Sequence, residues 1–239
     1  MEAEASPIVT RLGLISDMTI FPSKSTPFKA YRGSYKDCNL VVITNGKDNV
    51  HGTGVDNCGT VPAALCTFLA LQRLNGVVDI VINAGTCGGF QEKGARIGDV
   101  YLTTASAYHD RRIPIDVPDF VAYGIGRIES LPVHKLSKEI NAKMGVCTTG
   151  NSLDKHDIDD QIMRANNASV KDMESAAISW ACRLHDIPHF GVKVVTDIVD
   201  GSRPTEEEFL ENLHHAAQEL EGALSKIIEY CCGRSLDEL

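Results

Sequence analysis

The chain of 239 residues predicts an α/β fold: one domain with three layers, helices covering both faces of a central mixed, mostly parallel sheet. Three observations carry this. Near-continuous apolar runs rich in β-branched residues recur along the chain, as in strands buried on both faces. They alternate with stretches of helical periodicity, the order produced by crossover connections. The length suits a single α/β domain with a sizeable core. No internal repeat, low-complexity stretch or linker divides the chain, so residues 1–239 are read as one domain.

The elements follow in order. Residues 38–45 (CNLVVITN) carry Val41, Val42 and Ile43 in succession and read as a strand. Residues 59–74 (GTVPAALCTFLALQRL) have apolar residues at helical spacing. Strands are predicted again at 77–85 (VVDIVINAG) and 98–108 (GDVYLTTASAY), and a shorter one at 145–150 (GVCTTG). Residues 157–166 (DIDDQIMRAN) read as a helix, and ASVKDM as a strand end that runs into a helix over 174–186. Residues 189–197 (HFGVKVVTD) form the last strand. After Pro204, Thr205 to Glu208 read as a capping box. Phe209, Leu213, Ala216, Leu220, Leu224 and Ile227 then give a long final helix one apolar face.

Composition narrows the function. A net charge of -9 argues against nucleic acid, whose phosphates need a basic surface. No apolar run approaches the ~20 residues of a membrane span. The start, MEAEASPIV, lacks the basic and apolar parts of a signal peptide. The eight cysteines are scattered without paired CxxC spacing, so no zinc site is indicated and reduced thiols in a cytoplasmic protein are expected. The final Asp237-Glu238-Leu239 lacks the residue that would complete an ER-retention tail.

In sheets of this class ligands sit beyond the carboxyl ends of the strands. Those ends here carry Thr86-Cys87-Gly88-Gly89, Asn151 to Asp154, Glu174 and Asp197. Each has a plain structural explanation. Gly85 to Gly89 lack dinucleotide spacing and could form only a tight turn, as could Gly52, Gly54 and Gly59. Glu174 could be an acid stabilised at a helix start, and Asp197 a loop acid. Met173 and Leu153 suit a core or the walls of a flat pocket. His109 to Arg112 reads as a solvated loop, and Trp180 as helix packing. Two acids and a glycine-rich turn at one sheet edge together point to paired acid–base work on a ligand.

Four segments, NAGTCGGF, IGDVYL, KDMESAA and VVTDIVDGSRPTEEEF, with MEAEA at the start, resemble the methylthioadenosine nucleosidases of the nucleoside phosphorylase superfamily, plant type above all. The resemblance runs along the whole chain. It implies a nucleoside phosphorylase-like fold and hydrolysis of 5'-methylthioadenosine to adenine and 5-methylthioribose, with S-adenosylhomocysteine accepted by some members. It implies a homodimer with no metal or organic cofactor. By the same resemblance Asp197 delivers a proton toward N7 of adenine, Glu174 holds the ribose hydroxyls, and Glu4 activates the attacking water. Met173 packs on the ribose, Thr86, Cys87 and Gly88 form the turn at the nucleoside, Leu153 lies against the base, and Lys193 replaces the arginine of many bacterial members.

The resemblance also implies an apolar strand before the Met1-x-x-Glu4 motif, which the chain lacks. Glu4 is therefore expected on a poorly ordered end. Two rival functions are a phosphorylase, which needs an anion site, and a catalytically impaired storage or binding protein of the same fold.

Overall fold

The computed structural model describes residues 1–154 and 156–239. The elements are α1 (Glu2–Arg11), β1 (Ile15–Ser16), β2 (Lys29–Tyr35), β3 (Cys38–Thr44), α2 (Thr60–Arg73), β4 (Val81–Gly89) and β5 (Val100–Tyr108). Then come α3 (Pro118–Ile125), β6 (Ile128–Glu129), α4 (His134–Glu139), β7 (Lys143–Thr149), α5 (Asp157–Ala165), β8 (Ala168–Asp172), α6 (Ser175–Leu184), β9 (His189–Ile198) and α7 (Thr205–Cys231).

β1, β2 and β3 make a small antiparallel sheet. The main sheet runs β6-β5-β7-β8-β4-β9, with β9 pairing back onto β5. The long contacts, β4 with β9, β5 with β7 and β7 with β8, are parallel. The closing ones, β4 with β8 and β5 with β9, are short and antiparallel. The expected mixed, mostly parallel sheet is present, but it curls into a barrel-like ring instead of lying as a flat middle layer. The ten-residue β9 makes this possible. It pairs β4 along its whole length and still meets β5 over Val192 to Val194.

β9 is buried throughout, and its two faces do different work. Phe190, Val192 and Val194 pack with Ile8, Leu102 and the α7 residues Ala216, Leu220, Leu224 and Ile227. Each large apolar side chain fully buried there stabilises the fold by about 1.5–3 kcal/mol. Val195 faces the inside of the ring with Cys87, Cys147, Tyr101 and Val170.

Several local expectations are corrected. Thr86 to Gly89 are not a turn after the strand but its last residues, with an irregularity in the register between Cys87 and Gly88. The residues around Glu4 form a helix, α1, with Glu4 only 9% exposed, so the acid sits on an ordered, buried element. Glu208 does not complete a capping box with Thr205; its carboxylate accepts the Ile198 N–H at 2.9 Å. His109 is buried rather than solvated, 3.1 Å from the Thr148 hydroxyl, and burial pushes its imidazole down to about 4. Trp180 is 48% exposed on α6. No helix among the described residues is long and apolar enough to cross a membrane.

Candidate active site

The end of β4 organises the site. The Thr86 N–H and hydroxyl both donate to Glu4 Oε1 at 2.7 Å, which ties α1 to the strand. Two residues on, Gly88 stands opposite Asp197 in the register with β9. A Cβ at Gly88 would lie 2.6 Å from Asp197 Oδ2, so only glycine lets the acid approach so closely. Cys87, between them, has a fully buried thiol whose surroundings include Lys193, Asp172, Asp197 and Glu4. The two acids are thus anchored at points two strand residues apart, about 6–7 Å at the usual rise.

The two carboxyls are tuned in opposite directions. Asp197 is buried, and burial raises its carboxyl above the usual aspartate value although the Thr196 hydroxyl donates to it at 2.8 Å. Burial also pushes Glu4 up. The Met1 amino group and the Thr86 donors outweigh it, and Glu4 is held below the usual glutamate value. The surroundings therefore favour the neutral form at Asp197 and the charged form at Glu4.

Glu174 is the residue from which α6 starts, where the helix dipole favours an acid. Its Oε1 accepts the Gly59 N–H at 2.8 Å. Burial raises its carboxyl first, and the nearby Asp172 charge adds to that. Thr60, the next residue after Gly59, donates both N–H and hydroxyl to Asn151 Oδ1 at 2.9 Å. Asn151 is held in turn by Asp110 through its backbone N–H at 2.6 Å and its side-chain amide at 3.2 Å. The start of α2, the end of β7 and the start of α6 are so joined around one carboxylate.

Lys193 lies fully buried in the middle of β9, opposite Gly85. A Cβ on Gly85 would be 3.6 Å from its Nζ and 3.4 Å from Glu4 Oε1, which places ammonium and carboxylate on the same side of the strand. The lysine forms an ion pair with Asp172 at 2.9 Å. Asp172 is a site residue that sequence reasoning missed. Its signal was present in the strand alternation, which puts it on the opposite side of β8 from Lys171.

The structure brings Glu4, Thr86, Cys87, Gly88, Asp197, Glu174 and Lys193 into one region. Met173 is half-buried beside Glu174. Leu153 is 39% exposed, and its backbone carbonyl accepts a hydrogen bond from Lys171 at 2.6 Å.

Residues 1–229 match the Phosphorylase superfamily. A 5'-methylthioadenosine nucleosidase of Arabidopsis thaliana is 46% identical over 240 residues, covering 100% of this chain and 87% of the relative. A 5'-methylthioadenosine/S-adenosylhomocysteine nucleosidase of the same plant is 43% identical over 240 residues, covering 100% of this chain and 92% of the relative. The solved apo structure of Arabidopsis thaliana 5'-methylthioadenosine nucleosidase superposes with a TM-score of 0.94 at 45% identity, covering 100% of this chain and 96% of that one.

Proposed function

The chain belongs to the methylthioadenosine nucleosidases of the phosphorylase superfamily, and from this premise we propose how its residues carry the reaction. It hydrolyses the N-glycosidic bond of 5'-methylthioadenosine, releasing adenine and 5-methylthioribose. The observation that carries the assignment of roles is the geometry at the end of β4, where Thr86 holds the Glu4 carboxylate and Gly88 lies against Asp197.

Adenine leaves poorly as an anion. Asp197, with its raised carboxyl, gives a proton to N7 as the bond between C1' and N9 breaks. The sugar then carries oxocarbenium-like charge, as in glycoside hydrolysis between two carboxyl groups. Glu174 accepts hydrogen bonds from the ribose hydroxyls close to that charge. Glu4 takes a proton from water, whose oxygen bonds to C1'. Met173 packs on the ribose, Thr86, Cys87 and Gly88 line the nucleoside, and Leu153 covers the base. Each positioned acid or base contributes roughly 10²–10⁴ in rate.

The geometry disfavours a phosphorylase. The Thr86 N–H and hydroxyl, which could serve an anion, are occupied by Glu4, and a carboxylate there repels phosphate. Adenine release in phosphate-free buffer, without ribose 1-phosphate when phosphate is added, is the expected result. Release that requires phosphate would reject hydrolysis, and no release would point to the binding-protein alternative. The same assay with S-adenosylhomocysteine measures the tolerance at the 5' position.

We read residues 1–239 as one domain and the working form as a homodimer. Val61 and Leu65 of α2 and Trp180 and Leu184 of α6 are all exposed. Ile115, in the 109–115 segment, and Phe120 are exposed as well. Exposed apolar surface of this kind is what an interface between subunits covers. A cytoplasmic setting fits the eight cysteines, all free thiols.

A further inference from the structure

We propose that Asp172 is a positioning residue: it takes Lys193 as its own partner, keeps that cation off Glu174, and so leaves the Glu174 carboxylate free for sugar hydroxyls. This rests on the reading above that Glu174 meets the ribose.

The two carboxylates lie two residues apart and are treated differently. Asp172 has a side chain 1% exposed and is surrounded by donors. Its Oδ2 receives Lys193 Nζ at 2.9 Å, the Ser175 hydroxyl at 2.6 Å and the Ser175 N–H at 3.0 Å. Its Oδ1 receives the Thr149 hydroxyl at 2.7 Å. An ionised carboxylate has about four acceptor positions, and these contacts fill them. Glu174 has one donor, the Gly59 N–H, and forms no ion pair among the described residues. Most of its acceptor capacity stays open, and it is the less buried of the two.

The pairing is a choice between neighbours. Lys193 has a 2% exposed side chain and lies close enough to Glu174 to favour its charged form. The charged groups around Glu174 are Glu4 from α1, the Met1 amino group just before it, Asp172 from β8 and Lys193 from β9. Lys193 is the one buried lysine among them, and without Asp172 its nearest remaining acid partners are Glu174 and Glu4. A lysine bonded to Glu174 would have to be displaced by the incoming hydroxyls. Asp172 also holds the first turn of α6 through Ser175, while Thr149, its other partner, accepts the Ala176 N–H at 3.0 Å. The backbone of Glu174 is fixed by the same network.

The test compares ligands with and without the hydroxyls. Binding of 5'-methylthioadenosine and of its 2',3'-dideoxy analogue is measured by calorimetry in Asp197→Asn protein, where turnover stops. Adding Asp172→Asn is expected to weaken the hydroxylated ligand at least tenfold and the dideoxy ligand less than threefold. Asp172→Glu should return most of the difference. Equal weakening of both ligands, or no weakening of either, overturns the proposal, because a merely structural role does not sort ligands by their hydroxyls. If Asp172→Asn does not fold, Ser175→Ala removes one donor to Asp172 and should shift the ratio in the same direction. An unchanged ratio there also overturns it. Adenine release by the parent enzyme is scored separately: its absence rejects the functional reading, while the binding ratios still decide the role of Asp172.

Discussion

Replacing Gly88 by alanine tests the geometry at Asp197 without touching any acid. The added Cβ would sit 2.6 Å from Asp197 Oδ2 and 2.6 Å from Val199 Cγ2. An ordinary contact is about 3.5 Å, so the carboxylate, the valine or the strand must give by roughly 0.9 Å. Both neighbours are buried, and Asp197 is held by Thr196, so little of this can be absorbed toward solvent. Overpacking of this kind costs about 1–3 kcal/mol of stability. A misplacement of about 1 Å at a reacting group costs on the order of 10²-fold in rate, or ~2.7 kcal/mol of transition-state stabilisation. The assay is adenine release from 5'-methylthioadenosine, with a melting curve on the same sample. The expected result is kcat/KM lower by about 10²-fold, with a lower Tm. Gly222→Ala is the control: this glycine lies within α7 and a Cβ there meets nothing within 4 Å. It should leave kcat/KM unchanged and stabilise by roughly 0.5–1 kcal/mol. If Gly88→Ala keeps kcat/KM within threefold of the parent, the close approach of Gly88 does not position the proton donor.

Asp197→Asn should lower adenine release by at least ~10²-fold while the fold persists. Its carboxyl is raised in the folded state, so its contribution to stability is present below the unfolded aspartate value and lost as pH rises through the folded one. The Tm of Asp197→Asn minus that of the parent should therefore rise from acid toward neutral pH, and a value that falls instead would contradict the raised carboxyl. Glu4→Gln keeps an oxygen for the Thr86 donors but gives up the charge facing the Met1 amino group, so Tm should fall while the folded protein loses ~10²–10⁴ in kcat; a kcat per folded molecule close to the parent's would make Glu4 structural. Leu65→Glu places a charge on the exposed apolar face of α2. Light scattering should then show about one chain mass of 25.9 kDa, where the parent shows twice that, and a parent already at one chain mass rejects the homodimer.

The sequence alone determined the repeating elements. Periodicity is a local property, so β3, β5, β7 and β9, with α2, α5, α6 and α7, stand within a few residues of where the apolar patterns put them. The strand ends also marked Thr86 to Gly88, Glu174 and Asp197 as parts of one edge. Elements with weak apolar patterning escaped. These include α1, β2, whose side chains alternate between burial and exposure in the hairpin with β3, and α3, which buries no residue. Tertiary structure decided what depends on residues far apart in the chain. That β9 would close the sheet by meeting β5 follows from its length and neighbours, not from its alternation. Nor could the spacing say that Lys193 would choose Asp172, that Thr86 would hold Glu4, or that Gly88 had to be small because Asp197 lies against it. Pairings of this kind arise when buried charges find partners across strands, since a buried charge without one is too costly to persist. Which partner is within reach is settled by the register between strands, and that register is a property of the assembled sheet.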